Sequence, residues 1–532
     1  MGCEIIMADF DIIIVGSGPA GVSAAFPLVE SGLKVLMVDG GGTPQTHPSP
    51  PAMPYLQARL EDEQQWQWMI GKNFHALHNL GHVSPKLHAP TLGYVFKDFL
   101  SKNKIESKNF SAIGSLATGG LSNAWGCGVA RFSDAELADF PFETRLLDKS
   151  YKIITQRIGI SGGAQDDLTS YFGLDEWSQP PIEMDALHNY IYHRYNNHKQ
   201  ISEPHNFRLG RTRVAALSID HSGRKACDRS NNCLWGCHRH ALYSAAEELP
   251  TLKSHANFHH EAGFVVDNLS EDDGFWSING KQNNEHRSIS ANKILLAAGT
   301  LATTRLALKA LGSYAPVKIY SCPAAAFLLW VPKMLGSKRG PAFGLGQLSF
   351  ALDIKNGISG FGATLGTSGL PISGFARYLP LRRRYSVDFL GGLLSSCLIG
   401  SFFLPGQLSN STAMLNADGS LYIEGAYNDD TLDLMDAAKK QIRKEFARLG
   451  AIMLPTSFTV SPPGADIHYA STLPMRYFPT IGETNPLGEL YGLKGIYIVD
   501  GASLSTLPEK SHTLTIMANA DRIGRELCNQ MK

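Results

Sequence analysis

Cysteine, net charge and long apolar runs are all scarce in this sequence of 532 residues, and each scarcity excludes a class of protein. Eight cysteines are too few for a disulfide scaffold. Lysine plus arginine and aspartate plus glutamate number 48 each, so no net charge attracts nucleic acid. No secretory signal is visible. We therefore expect no nucleic-acid partner and a cytoplasmic location.

The longest apolar stretch, residues 389–404, is too short for a transmembrane helix. We interpret it as a buried helix and strand of a folded domain. The alternative is a surface that meets lipid, because the three arginines at 382–384 stand directly before it. Membrane association is an alternative that we do not favour.

The hydrophobic pattern predicts a mixed α/β protein with a large core. Hydrophobic residues make up 43% of the chain and charged residues 18%, and the length predicts two or three domains. Pro27 is expected to interrupt the first helix, and residues 321–425 are expected to form an antiparallel sheet. The predicted strands are 11–15, 33–39, 264–267, 274–279 and 288–298, and the predicted helices are 21–31, 303–310 and 430–449.

A glycine-rich turn between the first strand and helix predicts a dinucleotide site. Such a turn needs glycine at three positions, because a side chain would obstruct the tight turn of the chain, the approach of the backbone to a pyrophosphate, and the close packing of the helix on the strand. The helix N-terminus offers free N–H groups to phosphates. Asp39 ends the second strand, where a carboxylate can accept hydrogen bonds from a ribose diol. The turn reads Gly16-Ser17-Gly18-Pro19-Ala20-Gly21.

This unit alone does not distinguish NAD from FAD, but two other features favour FAD. No second G-x-G-x-x-G follows a strand, as an enzyme that also uses NAD(P)H would usually have. A late apolar strand, 294–297, ends in Ala298 and Gly299, where such folds return the chain to the cofactor.

Three motifs in order resemble the glucose–methanol–choline oxidoreductase family. The first is the N-terminal dinucleotide unit, and the second is a loop similar to the family's Gly-Gly-x-Ser loop. The third begins with a segment at His468 that is similar to the family's His-x-x-Gly-Thr-x-x-Met. It ends around a second histidine, which stands 44 residues after the first. The segments after the first unit are Gly119-Gly120-Leu121-Ser122-Asn123, His468 to Met475, Ile496 to Ser503 with Asp500-Gly501, and Ser511-His512-Thr513 to Ala518.

The resemblance implies a fold, a cofactor and a chemistry. It implies a Rossmann-like FAD-binding domain, of the glucose–methanol–choline type, with an inserted α+β substrate domain built on an antiparallel sheet. His468 would be the general base that takes the proton of an alcohol, and His512 its partner at the substrate oxygen. Val265 would line the adenine side. The flavin-contacting residues implied by the three motifs are Gly119, Gly120, Ser122, Asn123, Asp500, Gly501 and Thr513.

Two departures from the family pattern carry expectations. Ala124 stands where some relatives have a histidine bonded to FAD, so the FAD is expected to be non-covalent. Ser471 stands where the family usually has glycine, so the loop beside His468 is expected to depart from the family's geometry.

The resemblance also predicts how the chain is divided between two domains. The FAD-binding domain is expected to be discontinuous and to carry the catalytic histidines in its last part. The predicted FAD-binding segments are 8–60, 106–146, 226–320 and 456–532, the cover or lid segment is 61–105, and the substrate-domain segments are 147–225 and 321–455.

The cysteine spacing C-x5-C-x3-C is a candidate metal site. Cys227, Cys233 and Cys237 could hold an iron–sulfur cluster or, with His238 or His240, a zinc ion. The spacing resembles that of flavoprotein sugar dehydrogenases that use a three-iron cluster. A structural loop without metal is the favoured interpretation, so an iron–sulfur cluster is expected to be unlikely here.

The leading hypothesis is an FAD-dependent alcohol dehydrogenase or oxidase acting on a small-molecule alcohol. The alternatives are an FAD-containing lyase without net redox, an iron–sulfur-assisted sugar dehydrogenase, an FAD-stabilised binding protein and an NAD-dependent enzyme. The electron acceptor, whether oxygen, quinone or protein, is left open. So is the substrate, whether a sugar, a sugar conjugate, a sterol or another alcohol.

Overall fold

The computed structural model describes residues 8–44, 52–71, 76, 85–198, 206–283, 285–338, 340–355, 357–370 and 380–531. The strands of this part of the chain are β1 (Phe10–Val15), β2 (Val35–Asp39), β3 (Ile105–Lys108), β4 (Phe207–Arg211), β5 (Phe258–Ala262), β6 (Phe264–Asp272), β7 (Phe275–Gln282), β8 (Glu285–Leu296), β9 (Val317–Ser321), β10 (Ala324–Trp330), β11 (Leu348–Lys355), β12 (Ile358–Gly366), β13 (Cys397–Phe403), β14 (Ser411–Leu415), β15 (Leu421–Glu424), β16 (Ile452–Met453), β17 (Thr459–Val460), β18 (Tyr469–Ala470) and β19 (Ile496–Ile498).

The helices include several of a single turn. The α-helices are α1 (Pro19–Glu30), α2 (Tyr55–Glu61), α3 (Trp66–Met69), α4 (Gly93–Phe96), α5 (Phe99–Lys102), α6 (Leu146–Ile158), α7 (Thr169–Phe172), α8 (Ala186–His198), α9 (Leu249–Lys253), α10 (Thr300–Leu311), α11 (Arg383–Leu394), α12 (Thr431–Arg448) and α13 (Thr513–Gln530). The 3-10 helices are Pro85–His88, Pro90–Leu92, Gly120–Asn123, Asp175–Trp177, Ala245–Glu248, Pro332–Met334, Gly406–Leu408 and Gly501–Ser503.

A parallel core with an antiparallel edge forms the first sheet. Its strand order is β5-β2-β1-β8-β7-β6, and β19 pairs with β8. Strand β1 is parallel to both β2 and β8. Both faces of β1 and β2 are covered, which is why these strands consist almost entirely of apolar residues. The Rossmann-like prediction is confirmed, as are the predicted strands of this sheet.

Helix α1 runs through Pro27 without ending, which differs from the interruption expected from the sequence. The proline lies in the last turn of the helix, so any bend it causes affects only the three helical residues that follow it. It packs against α13, because a Cβ on Gly524 would lie 2.8 Å from the Pro27 ring and 2.8 Å from Ala24 O. Close packing of α1 and α13 therefore holds the proline in place.

The second sheet is antiparallel throughout, as expected for the substrate domain. Its order is β16-β10-β13-β12-β11-β4, with β17 beside β10. Helix α12, which matches the predicted helix at 430–449, covers one face with Phe446 against Phe350. Side chains alternate along β13, so Phe402 enters this core while Ser401 and Phe403 face a cavity on the other side.

The sequence did not predict the third sheet, of order β18-β9-β14-β15-β3. Its apolar residues, among them Ile319 and Leu421, join the same hydrophobic core as Ile13 of β1. Residues 411–424 therefore pack with the nucleotide-binding domain, although they fall within the predicted substrate segment 321–455. The domain boundaries otherwise remain a prediction.

Trp68 of the cover segment forms a small aromatic cluster with Tyr55 and Trp235, which come from the neighbouring segments. Of the predicted lid, 61–105, residues 72–75 and 77–84 lie outside the described residues. The apolar stretch at 389–404 forms the end of α11 and strand β13, a helix and a strand as expected. Leu390 and Leu394 of the helix are buried, but Phe389 is 54% exposed, so the expectation of a buried helix is correct for one face only. Across the described ranges, no helix has both the length and the hydropathy to cross a membrane.

Candidate active site

A cavity of about 460 Å³ lies between the parallel sheet and the antiparallel sheet. It begins at the turn after β1 and reaches Phe361 and Phe403 of the antiparallel sheet. Its volume is within the range usual for small-molecule sites. It opens at the carboxyl ends of parallel strands β1, β8 and β19, where doubly wound folds bind their ligands.

Each of the three glycines in the first turn meets a different steric demand. A Cβ on Gly16, whose φ is +113°, would lie 2.2 Å from Ala297 O. A Cβ on Gly21 would lie 1.9 Å from Gly16 O, so the helix can approach the turn only without a side chain. A Cβ on Gly18 would meet no atom within 4 Å. The space over Gly18 is therefore open to a ligand.

The start of α1 leaves its first N–H groups available. Gly18 is the N-cap residue and provides no side-chain hydrogen bond to the helix. Pro19 and Ala20 follow it and line the cavity. Uncapped N–H groups at a helix N-terminus suit a phosphate.

The second glycine loop lies against the first. A Cβ on Gly120 would lie 3.2 Å from Gly18 Cα, and Gly119 N donates to Ser17 Oγ at 3.0 Å. Ser122 Oγ donates to Gly119 O and accepts from Ala245 N, so it holds the loop in shape. Asn123 Nδ2 likewise donates to backbone oxygens of the loop. The side chains of Ser122 and Asn123, and the N–H and C=O groups of Gly119 and Gly120, are thus all used within the protein, so the loop has a fixed shape.

Asp39 lies at the cavity edge, as its predicted ribose role requires, but its carboxylate already has protein partners. Gly41 N and Thr118 Oγ1 donate to Oδ1 at 2.8 and 3.2 Å. Ser17 Oγ donates to Oδ2, and His260 Nε2 lies 3.0 Å from the same oxygen. A ribose hydroxyl can bond Asp39 only if one of the two hydroxyl donors turns away.

The late strands bring further predicted residues to the same cavity. Its lining includes Val265, Ala298, Gly299, Gly501 and Thr513.

Asp500 also lines the cavity, but its carboxylate is hydrogen-bonded to other parts of the protein. Its carboxylate accepts from Gly299 N and Thr303 Oγ1, which join the end of β19 to the start of α10, and from Ala502 N. Burial raises the pKa of Asp500 to about 6, although these hydrogen bonds oppose the rise.

His468 and His512 both line the cavity, and their rings are in contact with each other. Their ring centroids are 5.0 Å apart and the rings are nearly perpendicular, at 81°. His468 directly precedes β18, which pairs with β9, and the Phe403 ring lies 5.4 Å from its own. His512 is the N-cap residue of α13. The structure thus brings together two histidines that stand 44 residues apart in the sequence.

Both imidazoles are neutral at physiological pH. Burial lowers the pKa of His468 to about 4. Burial, and then the nearby His468, lower the pKa of His512 well below its usual value. The Nδ1 atom of each ring is buried and has no hydrogen-bond partner. A neutral ring that is 20% exposed at its side chain, as His468 is, can accept a proton from a molecule in the cavity.

Sequence reasoning missed two residues beside His468. Cys322 Sγ, an oxygen of Asp466 and a ring nitrogen of His468 all lie within 4.8 Å of one another. Burial raises the pKa of the Asp466 carboxyl well above its usual range. An aspartate two positions before the matched histidine was the available signal, but Cys322 comes from a distant segment.

A second missed group is Glu509, which is buried with Tyr171 donating to its Oε1 at 3.2 Å. Burial, with the nearby Glu136 carboxylate, raises the pKa of Glu509 to about 7. Lys510, the next residue, donates to Tyr171 O and pairs with Glu136 at 2.9 Å. Lys510 and Tyr171 line the cavity.

The cysteine cluster does not assemble the compact site that a zinc ion needs. Within the described ranges, the sulfur atoms of Cys227, Cys233 and Cys237 do not all lie within 4.8 Å of one another. His238 faces Asp228 at 3.0 Å, and His240 faces Glu247 at 2.7 Å, so each candidate histidine already has a carboxylate partner. None of the three cysteines is among the residues that line the cavity.

The described residues fit the predicted FAD. The open backbone of Gly18 and the uncapped start of α1 suit its pyrophosphate, and Asp39 lies where the ribose would follow. Gly120 of the second glycine loop and the histidine pair line the same cavity. Ala124 lines this cavity and offers no atom for a covalent bond to the flavin.

Comparisons with known proteins support the same fold. A family model described as pyridine nucleotide-disulphide oxidoreductase matches residues 10–91, which contain the dinucleotide unit. Pyridoxine 4-oxidase from Mesorbium loti, a crystal structure, is similar with a TM-score of 0.58 and 14% identity, over 97% of this chain and 99% of that one. At this identity the likeness shows the fold. No curated protein matches the sequence.

Proposed function

We propose that this chain binds FAD without a covalent bond and oxidises an alcohol to the carbonyl compound. The observation that carries the proposal is a pair of neutral histidines, His512 buried and His468 partly buried, in the cavity that begins at the dinucleotide turn. FAD, when bound, supplies a hydride acceptor at flavin N5. The protein supplies the proton acceptor and the substrate's orientation.

His468 is the general base. It takes the hydroxyl proton of the substrate; a bound flavin would then supply the acceptor for the hydride that the carbon releases as its bond to oxygen becomes double. An alcohol donates hydride readily only once its hydroxyl proton is leaving. The site must therefore hold the base beside the hydroxyl group and the hydride acceptor beside the carbon at the same time. A positioned base contributes on the order of 10²–10⁴-fold. The low pKa of His468 keeps the ring in the accepting form across the physiological range.

His512 is the second group at the substrate oxygen. The centroids of its ring and the His468 ring are 5.0 Å apart, so the two rings are in contact and one substrate oxygen placed beside the pair can reach both. As the N-cap residue of α13 it is held at the end of a long helix packed against α1 and α6. A neutral imidazole N–H can donate to the oxygen as negative charge develops on it.

The substrate end of the cavity is mainly apolar. Phe361, Leu365 and Phe403 line it, together with the hydroxyl of Ser401. Such a lining suits an alcohol carried on an aromatic or aliphatic body rather than one surrounded by many hydroxyls. Pyridoxine, the compound in the name of the similar crystal structure, is one test compound of this kind.

The test is anaerobic reduction of the bound flavin by a panel of alcohols. The panel contains pyridoxine, benzyl alcohol, a long aliphatic alcohol, a sterol and several sugars. We expect at least one to bleach the flavin, and the His468→Ala variant to bind FAD yet lose bleaching by 10²–10⁴-fold. Carbonyl product without any net reduction would instead identify the lyase alternative. Reoxidation by oxygen, a quinone analogue or a protein acceptor then identifies the acceptor.

A further inference from the structure

Asp466 is a buried carboxyl with one unused oxygen, and it lies beside the proposed base. Its Oδ2 accepts from Cys322 N at 2.9 Å and from His468 N at 3.2 Å. Its Oδ1 is buried with no partner. His468 Nδ1 lies 3.6 Å from Oδ2 and is likewise buried without a partner. Two complementary polar groups therefore lie just beyond hydrogen-bond distance of each other.

The backbone between them is held in a costly conformation. Ile467 has a φ of +62°, which is unusual for a β-branched residue. Its amide donates to Gly464 O, and the turn that results brings the Asp466 carboxyl back to the amide of His468. Backbone strain of this kind persists at functional sites where the surrounding structure enforces it.

The other groups that face Asp466 do not neutralise it. They are Cys322, Tyr427 and Tyr469 around the carboxyl, with Glu509 and His512 beyond. The Tyr427 hydroxyl donates to Ser461 O, and the Tyr469 hydroxyl donates to Ser111 O. Cys322 Sγ is directed at Pro508 O, 3.5 Å away. Among the residues that the structure describes, no lysine or arginine faces this carboxyl.

We propose that Asp466 is a positioning residue that fixes the tautomer of His468. The Nδ1–H of His468 donates to Asp466 Oδ2 after a shift of less than half an ångström, which leaves Nε2 as the proton-accepting atom on the cavity side. The proposal rests on the proposed function for its catalytic consequence, because the tautomer decides which nitrogen can take the substrate proton. Burial raises the pKa of Asp466 and lowers that of His468, so the resting pair carries little charge in its apolar surroundings.

Two substitutions separate positioning from folding. Asp466→Asn keeps an oxygen at the place of Oδ2, since two backbone N–H groups hold the acceptor there. Asp466→Ala removes the acceptor altogether. We expect Asp466→Ala to lose about 10²-fold in kcat with little change in KM, and Asp466→Asn to recover most of that loss. The acid limb of the kcat/KM profile should move to lower pH in Asp466→Ala, because an imidazolium loses an acceptor for its Nδ1–H.

The decisive readout needs no substrate. Histidine ring 15N spectra of the FAD-bound protein report which nitrogen carries the proton, and the His468→Ala variant assigns the signal. We expect Nδ1–H in the native protein and in Asp466→Asn, and loss of that preference in Asp466→Ala. An Nε2–H tautomer in the native protein, or an unchanged spectrum and acid limb in a folded Asp466→Ala, would overturn the proposal. If no alcohol reduces the flavin, the spectrum still tests the pairing while the proposed function fails separately.

Discussion

Replacing Ser471 by glycine should stabilise the protein, because this serine occupies a backbone conformation that favours glycine. Its φ is +66°, directly after the strand that follows His468. In this left-handed region of φ, a residue other than glycine destabilises the folded protein by about 1–2 kcal/mol. The serine hydroxyl is also buried without a partner, which costs a further amount on the order of 1 kcal/mol. Against these gains, glycine lowers the free energy of unfolding by about 0.4–1 kcal/mol, because it increases the conformational entropy of the unfolded chain.

The sum favours Ser471→Gly by about 1–2 kcal/mol. Ser471→Ala is the matched control, because it removes the hydroxyl but keeps the strained backbone, and it should gain about 1 kcal/mol or less. An unfolding entropy of about 2.1 cal/mol/K per residue, applied to the whole chain, turns 1 kcal/mol into a rise in Tm of roughly 1 °C. Shifts of this size require calorimetry in replicate.

The order of the three proteins is the test. Calorimetry of FAD-saturated samples should rank glycine above alanine and alanine above the native serine. Equal Tm values for the glycine and alanine variants would show that the left-handed backbone carries no cost. A glycine variant below the native protein would show that the reasoning on Ser471 is wrong.

Three further predictions concern the cofactor and the fold. Gly18→Ala should fold but bind little FAD, because its Cβ enters the open space over the turn. The measurement is the ratio of flavin to protein after purification. Gly392→Ala on α11 is the control, and it should bind as much FAD as the native protein. Asp500→Asn should remove one contribution to the pH dependence of the free energy of unfolding, measured by urea titration. Because the pKa of Asp500 is about 6 in the folded protein against an ordinary 3.8, the contribution of this carboxyl to stability is fully present below pH 3.8 and falls by about 3 kcal/mol as pH rises through 6. Metal analysis should find no iron or acid-labile sulfide, and Cys237→Ser should retain its FAD.

The parts of the fold that local pattern controls were predictable. The β1–α1–β2 unit is continuous in sequence, and its glycines carry their reasons within a few residues. Helix α12 was predicted from its apolar face within one residue at each end. The third sheet was not predictable in this way, since its strands are short and come from five separated segments.

The site shows the same division between local and distant signals. The histidine motifs led to the prediction of His468 and His512, and both residues line one cavity, while their catalytic roles stay a prediction. The surroundings of Asp39 were hidden, because His260 reaches it from a strand 221 residues later. Asp466 was hidden for a similar reason: its burial depends on Cys322 and the turn at Ile467, and neither is visible as a motif.

The most direct measurement is the visible absorption spectrum of the purified protein before and after an active alcohol is added without oxygen. The account predicts a yellow protein whose flavin band disappears with the native enzyme and persists with His468→Ala. A colourless protein that does not take up added FAD, or a His468→Ala variant that is bleached as fast as the native enzyme, would contradict it.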